Sequence, residues 1–167
     1  AVRIYSSQDA DELAFFDIAP NLESRSSLIS IITAAAKECY MPLTVGGGIS
    51  SINDIREIVA AGADKVVITS NAINNDIFLL EAIDTFGAQC IIAGIDYRKI
   101  NSDFLAFAGS GSLETKKNAL ELAAHYAELG VGEIFLNSID RDGCMNGYDI
   151  EFLREAKKLV DIPIIAA

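Results

Sequence analysis

Gly132-Glu133-Ile134-Phe135-Leu136-Asn137-Ser138-Ile139-Asp140-Arg141-Asp142-Gly143 opens as an apolar run and closes on two acidic residues, an arginine and a turn glycine. The apolar part has the length of a buried strand, so the polar residues fall at its C-terminal end. In a chain of alternating strands and helices, that end is where active sites are built. Other apolar runs finish in the same manner: Phe15-Phe16-Asp17, Thr44-Val45-Gly46-Gly47-Gly48, Ile68-Thr69-Ser70-Asn71 and Ile95-Asp96. One polar strand end is unremarkable as a signal; several together point to an enzyme.

Working outward from that stretch, strands are predicted near 12–18, 41–46, 65–70, 90–96, 132–138 and 161–166. The segments between them carry helical periodicity. Leu28, Ile31, Ile32 and Ala35 form one such set, and Ile52, Ile55, Ile58 and Val59 the next. Ile77, Leu80, Ala82 and Ile83 follow, then Leu120, Ala123, Ala124 and Ala127, then Phe152, Leu153, Ala156 and Leu159. Ser51 or Asn53 is placed to cap one helix, and Gly62, Gly87 and Gly130 to end helices. Such alternation predicts parallel strands joined by right-handed crossovers. The long gap after Asp96 holds Phe104-Leu105-Ala106-Phe107 and Gly109-Ser110-Gly111. It is expected to form a hairpin or ordered loop ahead of a helix beginning near Glu114.

No linker or low-complexity segment divides residues 1–167, which predicts a single α/β domain. The chain opens inside an expected helix, Ala1–Ser6, and stops inside an expected strand. The strand–helix units are too few for an eight-stranded barrel of roughly 200 residues or more. The expectation is therefore an internal piece of a larger barrel, truncated at both ends and inactive on its own.

The net charge of -11 argues against a nucleic-acid partner. It is compatible with a small phosphorylated ligand, because glycine turns and helix N-termini bind phosphate locally. No apolar run approaches the roughly 20 residues that span a bilayer. A cytoplasmic protein with no membrane partner is expected. Cys39, Cys90 and Cys144 have no metal-like spacing and are expected to be reduced thiols packed as small hydrophobes. Neither a metal nor a cofactor is called for.

Asp96, at the end of Cys90–Ile95, is the candidate proton-transfer group, since partial desolvation there raises a carboxylate toward neutral pH. Asp17 holds the equivalent place on its own strand. Gly46-Gly47-Gly48, with Ile49-Ser50 after it, lets backbone amides approach an anion closely. Thr69, Ser70 and Asn71 offer further donors. Asp142 is a candidate acceptor for a ligand hydroxyl, and the Gly143 amide a candidate phosphate contact. His125 lies mid-helix, away from every strand end, and is expected to be structural. Glu12, Lys65 and Glu133 start their strands, on the opposite face, and are expected to form a salt-bridge network.

Taken in order, these segments resemble the cyclase subunit of imidazole glycerol phosphate synthase, a (β/α)8 TIM barrel. The resemblance rests on Asp11-Glu12-Leu13, Phe16-Asp17-Ile18, Thr44–Ile49 and Ala61-Gly62-Ala63-Asp64-Lys65-Val66. It continues through Phe86-Gly87-Ala88-Gln89, Gly132-Glu133-Ile134, Ser138–Gly143, Gly147-Tyr148-Asp149 and Ile162–Ala166. It implies a piece covering about strands 2 to 7 of the barrel. It also implies ammonia-dependent conversion of a phosphoribulosyl-formimino-carboxamide ribonucleotide to imidazole glycerol phosphate and aminoimidazole carboxamide ribonucleotide. A glutaminase subunit, forming a heterodimer, would supply the ammonia. The resemblance assigns Asp96 as catalytic acid, with Gly47, Gly48, Thr69 and Ser70 at one phosphate and Asp142 and Gly143 at the other. It recasts Glu12, Lys65 and Glu133 as an ammonia gate, with Asp64 at the glutaminase contact.

The sequence also departs from the family pattern. The family's other catalytic aspartate would precede Ala1, and the last phosphate turns would follow Ala167. Ile68-Thr69-Ser70-Asn71-Ala72 replaces the usual Ile-Asn-Thr-Ala-Ala, and Lys116 stands where a Thr-Gly pair is expected. These differences leave two alternatives: a cyclase-like paralogue delivering ammonia for amidination of a surface-polysaccharide sugar, or a non-catalytic, partner-binding half-barrel.

Overall fold

A computed structural model of the chain describes residues 2–8, 10–18, 22–38 and 40–167. It falls into two compact units, Ala1–Val67 and Ile68–Ala167. The first runs α1 (Val2–Ser7), β1 (Leu13–Phe16), α2 (Leu22–Ala36), β2 (Leu43–Gly46), α3 (Ile52–Ala60) and β3 (Lys65–Ile68), whose last residue opens the second unit. β1 pairs parallel with β2 from Leu13↔Leu43 to Phe16↔Gly46, and β2 with β3 from Thr44↔Lys65 to Gly46↔Val67. All four residues of β2 are buried. Helix α2 turns Leu28, Ile32 and Ala35 inward, whereas Ile31, expected on that stripe, rotates off it and is exposed. The start of α3 is a capping box: Ser51 Oγ accepts from the Asp54 amide at 3.2 Å, and the Asp54 carboxylate accepts from the Ser51 amide at 2.9 Å.

The second unit contains α4 (Asp76–Phe86), a 3-10 turn (Ala88–Cys90), β4 (Ile91–Ile100), β5 (Asp103–Ala108) and β6 (Leu113–Asn118). It continues with α5 (Ala119–Leu129), β7 (Glu133–Ser138), α6 (Ile150–Leu159) and β8 (Ile164–Ala166). β4 pairs parallel with β7 from Ile92↔Glu133 to Tyr97↔Ser138, and β7 with β8 from Ile134↔Ile164 to Leu136↔Ala166. Ile91, Ile92 and Ile95 are fully buried. Each such side chain contributes roughly 1.5–3 kcal/mol relative to exposure. In α4 the buried residues are Phe78, Leu79 and Ala82, while Ile77 and Leu80, expected inside, face solvent. Apolar residues occupy most of that helix, so periodicity alone does not select its inner face.

The long gap after Asp96 is an antiparallel meander. β4 continues to Ile100, turns through Asn101 and Ser102, and returns as β5, which then pairs with β6. No helix begins near Glu114: that residue pairs with Phe107, and α5 starts only at Ala119. The Asn118 side chain caps α5, accepting from the Leu120 amide at 2.9 Å and the Glu121 amide at 3.2 Å. Leu-Glu-Thr-Lys-Lys is helix-compatible by propensity, but ladder pairing to β5 overrides it. Lys116 takes φ 60 there, a conformation suited to glycine.

Strand alternation gives the far half of β4 two distinct faces. Tyr97 and Lys99 point toward α6: Tyr97 stacks on Phe152 at 3.8 Å between ring centroids, and Lys99 Nζ lies 2.6 Å from Glu151. Phe104 completes that aromatic cluster, 4.8 Å from Phe152. Asp96 and Arg98 therefore project from the opposite face, together with their cross-strand neighbours Phe107 and Leu105.

Candidate active site at the strand ends

Asp96 sits at the point where β4 leaves its parallel partner and enters the meander. Asn137, its register partner on β7, donates from Nδ2 to Asp96 Oδ1 at 2.9 Å. Phe107, itself 6% exposed, stands directly opposite on β5 and forms an apolar wall. Burial pushes the Asp96 carboxyl above its ordinary range; the Asn137 bond opposes that rise, and the charge of Asp142 adds to it. A carboxyl held this way keeps its proton to higher pH than a solvated aspartate, as a general acid requires.

Asp142 and Gly143 lie in the turn that follows β7. The Arg141 and Asp142 amides both donate to Ser138 O at 2.9 Å, which tightens the turn and brings Asp142 to the Asp96 side. Gly143 has φ 71, and its own N–H donates to no acceptor among the described residues. That amide is a donor for an anion. Asp140, in the same turn, pairs with Arg98 on β4 at 3.5 Å. Cys144 is exposed beside this turn and Cys90 is buried, so the expectation of packed thiols holds only for Cys90; Cys39 lies outside the described residues.

Ser70, just after β3 and within the second unit, accepts through its hydroxyl oxygen from the Gly109 amide at the meander tip at 2.9 Å. The hydroxyl proton is left to donate elsewhere. The tip also meets the loop after β7, because a Cβ on Gly111 would lie 3.1 Å from Ile139 Cδ1. Thr69 stands between β3 and Ser70, partly buried. His125 lies away from these groups, 3.0 Å from Asp76 at the start of α4.

In the first unit, Gly47 has φ 100, and a Cβ there would lie 2.2 Å from the Asp17 carbonyl oxygen. Gly48 has φ 63. Their N–H groups have no acceptor among the described residues, so together they offer a small anion cradle. The α3 N-terminus is less open than expected, because the Asp54 carboxylate already takes the Ser50 amide at 2.8 Å and the Ser51 amide at 2.9 Å. At the opposite ends of these strands, Lys65 Nζ lies 2.9 Å from Glu12 Oε1. Asp64 Oδ2 accepts from the Leu43 amide at 2.8 Å. Glu133 heads β7 in the second unit.

The structure thus brings Asp96, Asp142 and Gly143 to one group of strand ends, and pairs Glu12 with Lys65. Asn137, Phe107 and Arg98 were not singled out as site residues by the sequence. Asn137 lies within the opening stretch, but only the β4–β7 register shows that it meets Asp96.

Strand–helix alternation, parallel pairing and polar strand ends define an enzyme-like α/β protein of the incomplete (β/α)8 barrel class. The family model described as histidine biosynthesis protein matches residues 1–167, and the chain belongs to that family. It is 42% identical over 165 residues to the imidazole glycerol phosphate synthase subunit HisF of Clostridium botulinum (strain 657 / Type Ba4), covering 98% of this chain and 65% of that protein. It is likewise 42% identical over 163 residues to the protein of that name from Sulfurisphaera tokodaii, covering 98% of this chain and 66% of the relative. The chain thus spans just under two thirds of the length of these curated relatives. None of the described helices is long and apolar enough to cross a membrane.

Proposed function

We propose that the full-length protein containing this chain is a cyclase subunit of histidine biosynthesis. It uses ammonia from a partner glutaminase to convert a phosphoribulosyl-formimino-carboxamide ribonucleotide to imidazole glycerol phosphate and aminoimidazole carboxamide ribonucleotide. The observation that carries this reading is Asp96: a strand-end carboxyl, desolvated against Phe107 and held by Asn137, beside the Asp142–Gly143 turn. It acts as the general acid. Its acid–base partner is the aspartate that the family places ahead of Ala1.

In the first unit the amides of Gly47 and Gly48 suit a phosphate, and in the second the Gly143 amide and the hydroxyls of Thr69 and Ser70 suit phosphate oxygens as well. Glu12 and Lys65, paired in the first unit, serve the ammonia gate, and Glu133 at the head of β7 is given the same role in the second. Thr44 supports that role: it is in register with Lys65, and its buried hydroxyl has no protein partner, which suits a small polar guest. Asp64 borders an open cleft lined by Tyr40, Met41 and Pro42, a surface suited to the glutaminase. The protein forms one barrel domain and works in the cytoplasm as a heterodimer.

Purified full-length protein, given ammonium and the formimino-ribonucleotide, should release imidazole glycerol phosphate, detected by mass spectrometry. Failure to do so, coupled with amidination of a sugar in the presence of a glutaminase, would replace this reading with the paralogue.

A further inference from the structure

Arg98 has no role in the reading above, yet it projects from the same face of β4 as Asp96, two residues further along. Its surroundings differ from those of Lys99, the cation on the opposite face, which makes a close bond to Glu151 at 2.6 Å. The Arg98 guanidinium lies 5.3 Å above the centre of the buried Phe107 ring, which orients it as a flat platform would. Its one anionic contact among the described residues is long: Nε is 3.5 Å from Asp140 Oδ1, and the geometry does not make a hydrogen bond. Nε is buried all the same, while 43% of the side chain stays exposed. The guanidinium is thus held in place and incompletely satisfied, with its outer edge open.

The charges around it sharpen the point. Asp140 and Asp142 bring negative charge to these strand ends, and Arg98 offsets it beside Asp140. A phosphate dianion entering here needs a cation that can turn from a carboxylate to the ligand. A guanidinium fork suits phosphate through two parallel N–H bonds, which an ammonium cannot supply.

We propose that Arg98 is a phosphate-binding residue: it leaves Asp140 when substrate arrives and takes the phosphate whose other contact is the Gly143 amide. Asp140 acts as its placeholder in the empty site. This rests on the cyclase reading for the identity of the substrate, but on the geometry of Arg98 alone for the class of ligand, a phosphomonoester dianion. Arg98 thereby sets the preference for phosphorylated over dephosphorylated substrate.

The test titrates the full-length protein with inorganic phosphate and with glycerol phosphate by calorimetry, separately from any turnover assay. Arg98→Met keeps the aliphatic packing on Phe107 and removes the charge. It should weaken glycerol phosphate binding at least tenfold, with Arg98→Lys in between. Asp140→Asn should strengthen binding a few-fold by releasing the guanidinium. In steady state, Arg98→Met should raise KM by more than it lowers kcat, the sign of lost ground-state binding. Binding by Arg98→Met within twofold of wild type would overturn the proposal, as would unchanged or weaker binding by Asp140→Asn. Should Arg98→Met fail to fold, Asp140→Asn decides alone. A wild type that binds glycerol phosphate through Arg98 but makes no imidazole product would overturn the cyclase reading and leave this one standing.

Discussion

Asp96→Asn should make the protein slower and more stable at once. The wild-type carboxyl is held above the ordinary aspartate range, first by burial, with Asn137 opposing and Asp142 adding. The sign follows from proton linkage. Between the unfolded and folded titration ranges the folded chain holds the extra proton, so stability declines as pH climbs through that window. Above the folded titration range the wild type carries the whole penalty, whereas asparagine carries none at any pH. Asparagine can still accept from Asn137 Nδ2, so that bond changes from charged to neutral at a loss of about 1 kcal/mol. Because the net displacement is upward, relief from burial and from Asp142 exceeds that loss. Each 1 kcal/mol gained raises Tm by about 2–4 °C in a chain of this size. Losing the proton donor, by contrast, should lower kcat by about 100- to 10,000-fold. Thermal melts from pH 3 to pH 8 and single-turnover rates on the full-length protein read both quantities. A variant melting below wild type at pH 7 would refute burial as the dominant cause, as would a stability gain that persists unchanged below pH 3.8. A rate loss under about tenfold would sink the general-acid role.

Other perturbations probe the neighbouring contacts. Asp142→Asn removes a charge that raises Asp96, so the pH–rate limb belonging to Asp96 should move to lower pH; a limb that stays put or moves up contradicts the coupling. Phe152→Ala empties a fully buried ring site stacked on Tyr97, and urea melts should show a loss of about 3–5 kcal/mol with the m-value unchanged. Gly47→Ala combines φ 100 with a 2.2 Å approach to Asp17, so it should destabilise by more than about 1 kcal/mol and weaken phosphate binding. An alanine variant with wild-type Tm and affinity would show that the turn relaxes freely.

The strand ends were legible in sequence because an apolar run that breaks into Asp or Gly carries its own boundary. β2 and β7 were read within a residue or two for that reason, and so was the start of β4, although β4 runs four residues past its expected end at Asp96; of the two caps offered, Ser51 is the one the structure uses. The meander was less legible. Leu113–Asn118 has no alternating apolar pattern, and it is a strand only because β5 lies beside it. Arg98 and Asn137 escaped notice for a different reason. What Asn137 does depends on standing opposite Asp96, and a register between residues so far apart leaves no mark in either segment alone. The acidic loop shows the same limit: nothing in Asp140-Arg141-Asp142 itself says that Asp140 takes Arg98 on another strand.

The two faces of β4 have a consequence for how this site can change over generations. A substitution in Ile91–Tyr97 alters one side chain and leaves the rest in place. An inserted or deleted residue shifts the alternation by one, turning Tyr97 to where Asp96 stood and Asp96 toward the ring of Phe152. The tip at Gly109–Ser112 lies outside that ladder and obeys no such rule. Lineages of this fold should therefore vary freely in tip length while the strand beneath keeps a constant residue count, like a ruler whose marks may be repainted but not moved.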